Sequence, residues 1–131
     1  MQVKIKMALA IIAGCGIGAA TVEGLHAQAK AKTPIYVVAE IDVTNVDAYM
    51  KEYAPKAQGL IKKSGGKLVA ASSNVTPVEG APPAKRVAIQ IWESTDQYKA
   101  YRASAELKEV RKIGDKYAKF RSFYVEALPA K

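Results

Sequence analysis

The stretch "IYVVAEIDVTNVDAYMKEYAPKAQGLIKKSGG", residues 35–66, changes its hydrophobic period part-way, and that change decides the fold. Residues 35–43 are rich in β-branched and apolar side chains and alternate with period two. They read as a strand with Ile35, Val37, Ala39, Ile41 and Val43 on one face and Tyr36, Val38, Glu40 and Asp42 on the other. From Thr44 the period becomes helical. Thr44 stands as the cap with Asp47 three residues on, in the manner of a capping box. Val46, Tyr49, Tyr53, Ala57, Leu60 and Ile61 supply an apolar stripe, and Gly65-Gly66 ends the element. Pro55 falls inside the stripe and predicts a kink or a broken turn there.

Outward from this unit the signals keep alternating. Lys67 to Ser73 is a weaker, alanine- and serine-rich strand, followed by the Pro/Gly loop "TPVEGAPPAK" from Thr76 to Lys85. "RVAIQIW", Arg86 to Trp92, is a third strand with Val87, Ile89 and Ile91 on one face and Arg86, Ala88, Gln90 and Trp92 on the other. Ser94 or Thr95 caps a second helical region with Tyr98, Tyr101, Leu107, Val110 and Ile113 on its apolar side, interrupted at Gly114. "SFYVEAL", Ser122 to Leu128, is the last strand. The order βαββαβ predicts an α+β, ferredoxin-like domain: a four-stranded antiparallel sheet with helices on one face.

The wholly apolar rows of strands one, three and four are expected under the helices. The open face then carries Tyr36, Val38, Glu40, Arg86, Gln90, Trp92, Tyr124 and Glu126, with Glu40, Arg86, Gln90 and Glu126 converging from adjacent strands. A face so aromatic is expected to be covered. A second copy stacking sheet on sheet does so, leaving a barrel-like interior with room for a small organic ligand. The expected ligand-binding set is therefore Tyr36, Glu40, Arg86, Gln90, Trp92, Tyr124 and Glu126.

The N-terminal 29 residues read differently. Lys4 and Lys6 precede an uncharged run from Met7 to Val22, and Ala27-Gln28-Ala29 supplies the small residues of a cleavage site. This is the pattern of a secretory signal peptide, followed by a short linker (30–34) and the domain (35–131). The uncharged run is shorter than the ~20 residues of a membrane span. Ile12-Ala13-Gly14-Cys15 also resembles a bacterial lipobox, which makes lipid anchoring at Cys15 the alternative to cleavage near Ala29. Gly14-x-Gly16-x-x-Ala19 imitates a dinucleotide loop, with Glu40 downstream. However, no strand precedes the glycines, no helix signals follow, and the remaining chain cannot supply repeated βαβ units.

The only cysteine and the only histidine, Cys15 and His26, lie in this leader. The mature chain is thus expected to lack thiolate nucleophiles, disulfides, histidine metal sites and Ser-His-Asp machinery, and no metal or cofactor is expected. Its acid–base chemistry would fall to carboxylates, tyrosine or lysine. The formal charge of +8 comes from scattered lysines without a basic stripe, and together with export this argues against nucleic acid as a partner.

"YVVAEIDVTNVDAYMKEYAPKA", the Gly65-Gly66 turn, "VEGAPPAKRVAIQIWES" and "YRASAELKEVRKIGDKYAKFRSFYVEAL" together resemble the family catalogued as domain of unknown function 1330, within the dimeric α/β-barrel superfamily. The resemblance covers essentially all of the chain after the leader. It implies a ferredoxin-like protomer and a homodimer, and brings no reaction. The family often has Pro and Tyr around the glutamate where this chain has Ser104-Ala105-Glu106-Leu107, so a role for that tyrosine does not transfer. Two functions are weighed on this frame. One is a periplasmic or secreted binding module for a small organic ligand or a partner at the polar-aromatic sheet face. The other is a cofactor-free monooxygenase- or lactone-isomerase-like enzyme using Glu40 and Glu126 as an acid–base pair. A purely structural role, in which Glu40 or Glu126 pairs with Arg86, competes with both.

Overall fold

The computed structural model describes residues 32–130. The leader, Cys15 and the glycine loop lie outside the described residues. Strands β1 (Ile35–Val43), β2 (Lys67–Ser72), β3 (Arg86–Trp92) and β4 (Ala118–Glu126) form one antiparallel sheet in the order β2-β3-β1-β4. The first strand sits between the third and fourth, as the ferredoxin-like order requires.

One helical arm follows β1. It begins as α1 (Val46–Ala48), widens into π-helical turns over Tyr49–Tyr53 and continues as α2 (Ala54–Lys63). The cap is Asn45, whose side chain accepts from the Ala48 N–H at 3.1 Å; the Thr44 hydroxyl instead donates to the Tyr117 carbonyl at 3.0 Å. Pro55 falls in the first turn of α2, where its missing N–H costs nothing. The predicted kink is thereby absorbed by the π-helical turns just before it.

The second helical region is two helices, α3 (Thr95–Ala103) and α4 (Ala105–Gly114). Ser94 caps α3 by accepting from the Gln97 N–H at 3.1 Å, and Ser104 ends α3 and caps α4 by accepting from the Leu107 N–H at 3.2 Å. Leu107 is buried in the core, and Glu106 stays outside, paired with Lys63 at 2.9 Å. β4 begins four residues earlier than the sequence suggests. The charged "KFR" run disguises it: Ala118 and Phe120 face the helices while Lys119 and Arg121 point away.

The sheet's facing is where the sequence reading needs correction. β1 behaves as expected, with Ile35, Val37, Ala39 and Ile41 buried beneath the helices. Residues directly opposite in an antiparallel pair share a face. The register sets Ile35 against Trp92, Val37 against Gln90, Ala39 against Ala88 and Ile41 against Arg86. It also sets Ile35 against Glu126, Val37 against Tyr124 and Ala39 against Ser122. Arg86, Gln90, Trp92, Tyr124 and Glu126 therefore lie on the helix side, not the open side. Of the predicted open-face set, Tyr36, Val38 and Glu40 remain.

The open face is instead built from three rows across the sheet: Lys67, Ile91, Tyr36, Val125; then Ala70, Ile89, Val38, Phe123; then Ser72, Val87, Glu40, Arg121. It is more apolar than expected. Tyr36, Phe123 and Val125 are each at least 40% exposed, and Val38, Val87, Ile89 and Ile91 are half-buried. The loop after β2 folds over one end of this face, where the Ala84 N–H donates to Glu40 Oε1 at 3.1 Å.

The core centres on Trp92, which is wholly buried. Its indole N–H donates to Gln90 Oε1 at 2.8 Å, and its ring packs on Tyr101 and Tyr98 at centroid distances of 4.8 and 5.5 Å. Gly66 closes the helical arm against the same indole: a β-carbon there would lie 2.5 Å from the ring. An indole held on its other side by two tyrosines has nowhere to retreat. Gly66→Ala is therefore expected to cost roughly 1–3 kcal/mol, an overpacking penalty read as a lower chemical-denaturation midpoint.

Candidate functional site

The relocation of Arg86 and Gln90 puts polar groups between the sheet and the helices. A cavity of about 60 Å³ lies there. Its floor is β1, β3 and β4 (Val37, Ala39, Ala88, Gln90, Ser122), and its roof is the helical arm and α3–α4 (Tyr49, Tyr53, Tyr98, Tyr101). Arg86, Arg102 and Arg111 complete the wall, three of the four arginines in the chain; no lysine and no carboxylate lines it.

Each arginine is held differently. Arg111 lies 3.9 Å above the Phe120 ring and reaches Asp115 at 3.7 Å. Arg102 is exposed at the rim. Arg86 sits 5.5 Å from the Tyr49 ring centroid, and its Nη1 donates to Ser73 Oγ at a long 3.4 Å. Its Nε is buried and has no hydrogen-bond partner among the described residues.

Arg86 also stands at a junction. A second cleft, about 320 Å³, opens where the end of β1 meets the helical arm and the loop after β2. It is lined by Val43, Val46, Met50, Val75 and Lys85, and shares Ile41, Tyr49 and Arg86 with the inner cavity. Arg86 and Tyr49 thus line both the small inner cavity and the larger, more apolar cleft.

The roof tyrosines are held un-ionised by burial. Tyr101 is pushed up to about 12, and Tyr53, Tyr98 and Tyr49 are raised in the same sense, the arginines only partly opposing the loss of solvent. In the unfolded chain these phenols ionise near 10. Between about pH 10 and 12 the unfolded state releases protons that the folded state still holds. The stabilisation is therefore complete below pH 10 and lost as pH rises through 12. Alkaline titration at 295 nm is expected to show late-ionising tyrosines whose release coincides with unfolding.

Glu40 and Glu126, the expected acid–base pair, do not meet. Glu40 stands opposite Arg121 and Glu126 opposite Ile35, five positions apart along each strand, which puts the two glutamates on opposite faces and toward opposite ends of β1. Glu40 Oε2 accepts from Arg121 Nη1 at 2.6 Å, so its ion pair is with Arg121 and not Arg86. With Ala84 on its other oxygen, Glu40 is fully engaged in fixing the loop to the sheet. Tyr36 lies on the open face, away from the cavity; Tyr124 flanks Tyr98 at 5.8 Å on the helix side. Arg86 and Gln90, expected on the open face with Glu40 and Glu126, lie on the helix side, where both line the cavity. It missed Tyr49, Tyr53, Arg102 and Arg111, whose helical spacing marks them only as amphipathic stripe and solvated face. Among the described residues no group of three or more His, Cys, Asp or Glu is arranged to hold a metal ion, and no helix is long and apolar enough to cross a membrane.

The model of the domain of unknown function DUF1330 matches residues 34–128. The chain belongs to that family. No curated protein matches it. Among solved structures, this DUF1330 chain is similar to a protein of unknown function from Rhodopseudomonas palustris (16% identity, TM-score 0.58, covering 82% of this chain and 94% of that one). It is similar to SnoaB, a cofactor-independent oxygenase from Streptomyces nogalater (12% identity, TM-score 0.56, 75% and 96%). A third is a dimeric protein of unknown function and ferredoxin-like fold from Bacteroides fragilis (12% identity, TM-score 0.51, 72% and 96%). Identities this low establish the shared ferredoxin-like fold alone.

Proposed function

We propose that this DUF1330 protein is a homodimeric small-molecule-binding module, with a ligand site in each protomer between the sheet and the helices. One observation carries the reading. The inner cavity and the outer cleft share the wall of Ile41, Tyr49 and Arg86, so polar groups of an interior space lie directly against a surface cleft. A core serving stability alone gains nothing from lining a void with guanidinium and phenol groups, which are costly to bury without partners. The apolar open face supports the dimer, since a contiguous patch of valine, isoleucine and aromatic side chains is the usual mark of an interface. The dimeric neighbour of the same fold points the same way.

A panel of small acids, alcohols, amines and aromatics tests the site. Isothermal titration calorimetry reads occupancy without relying on Trp92, the only tryptophan, which lines neither the cavity nor the cleft. Saturable changes are expected for some members and are expected to vanish in Val46→Tyr, which fills the outer cleft from an exposed position. A panel with no saturable response overturns the reading. The oxygenase-type alternative loses its two glutamates to separate faces, and the cavity supplies no carboxylate in their place.

Export of the protein belongs to the same proposal. The mass of the chain recovered from a host that processes it is expected to correspond to cleavage near Ala29. A lipid adduct on Cys15 would replace the secreted form by an anchored one.

A further inference from the structure

We infer that the ligand is an organic anion with an apolar body, a carboxylate or an enolate, whose charged end is held at Arg86 and whose body lies in the outer cleft. The inference rests on the proposed site and adds its chemistry and its orientation.

The first support is the sorting of charge. Lysines outnumber arginines four to one in this chain, yet the cavity takes three arginines and no lysine. Arginine keeps its charge when desolvated and presents a planar fork of donors that matches two oxygens sharing one negative charge. Arg111 reaches Asp115 and Arg102 is exposed at the rim, so Arg86 is the lining charge left without a counter-charge. An anionic guest supplies the missing counter-charge.

The second support is the state of Arg86 itself. Its Nε is buried without a partner, its Nη1 makes a long contact to Ser73, its other polar neighbour is the Tyr49 phenol, and no carboxylate among the described residues pairs with it. A buried donor on a charged group is costly to leave unpaired, and the side-on edge formed by Nε and a terminal nitrogen is one that carboxylates occupy.

The third is the contrast between the chambers. The inner cavity, about 60 Å³, has room for a polar head or a few waters. The outer cleft, about 320 Å³, is of the size that takes a ring or a short chain, and Val43, Val46, Met50 and Val75 give it an apolar wall. An amphipathic anion seated in the cleft meets Arg86 in the wall the cleft shares with the inner cavity.

Octanoate and its neutral isostere octanamide separate this inference from the reading it rests on. Titrated calorimetrically into the full-length protein, octanoate is expected to bind at least tenfold tighter than octanamide, with a preference that falls as salt is added. Arg86→Gln is expected to abolish the preference. The wild-type comparison stands even where that variant folds poorly. Equal binding, or tighter binding of the amide, overturns the anion assignment and leaves the ligand site standing. So does binding restricted to amines or neutral aromatics. A preference undiminished in folded Arg86→Gln overturns the placement of the charge at Arg86. Absence of binding by any member of the wider panel overturns both.

Discussion

Trp92→Ala is expected to remove about 3–5 kcal/mol of stability, enough to leave a domain of this size largely unfolded near body temperature. Three consequences add at this site. The indole is wholly buried, so its removal opens the largest void any single truncation in this core can make. Tyr98 and Tyr101 lose the ring on which both pack. Gln90, buried beside it, loses the indole N–H that satisfies its side-chain oxygen, and an orphaned acceptor adds its own desolvation cost. Trp92→Phe keeps an aromatic platform and is expected to lie between the two, because it still forfeits the hydrogen bond. Chemical denaturation followed by far-ultraviolet circular dichroism measures all three proteins on one scale. A Trp92→Ala midpoint within 1 kcal/mol of the parent would show that the helix–sheet core is not centred on this residue.

That Trp92 carries the core is what the sequence concealed, and the reason is physical. The element order, the cap at Ser94 and the stop at Gly65-Gly66 follow from local signals, because periodicity and capping are local properties, and the βαββαβ order then places β1 between β3 and β4. Facing is not local. "RVAIQIW" offers one purely apolar row and one mixed row, and a sheet solvated on one side would turn the pure row inward. Here the open face is itself apolar, so the pure row of Val87, Ile89 and Ile91 finds an apolar setting there. The mixed row goes under the helices, where Trp92 has the volume the core needs and Gln90 can satisfy it. The same inversion carried Arg86 into the interior and separated Glu40 from Glu126. Arg102 and Arg111 were invisible for another reason. Each lies on a helix whose local pattern reads as a solvated face, and only tertiary packing lays Arg111 on Phe120 and brings Arg102 to the cavity rim.

On the proposed dimer, Ile89→Lys is expected to weaken self-association by at least a hundredfold while leaving the protomer folded. Ile89 stands in the middle row of the open face, between Ala70 and Val38, with Phe123 one strand further on. In a monomer its side chain is half-exposed, and a lysine there extends its ammonium group to water over a short aliphatic stem. Two sheets stacked face to face remove that water. A two-fold axis duplicates the substitution, so the dimer must bury two like charges without partners, at several kcal/mol for each. The face offers the lysines no free counter-charge at Glu40, which is already committed to Arg121 and the Ala84 N–H. Sedimentation velocity is expected to show the parent protein as a dimer and Ile89→Lys as a monomer, with superimposable circular dichroism spectra. Octanoate binding is expected to survive in the monomer, because Arg86 and the cleft lie on the other side of the sheet. A parent protein that sediments as a monomer at high concentration would instead require some other occupant for the row of Ile89, Val38 and Phe123.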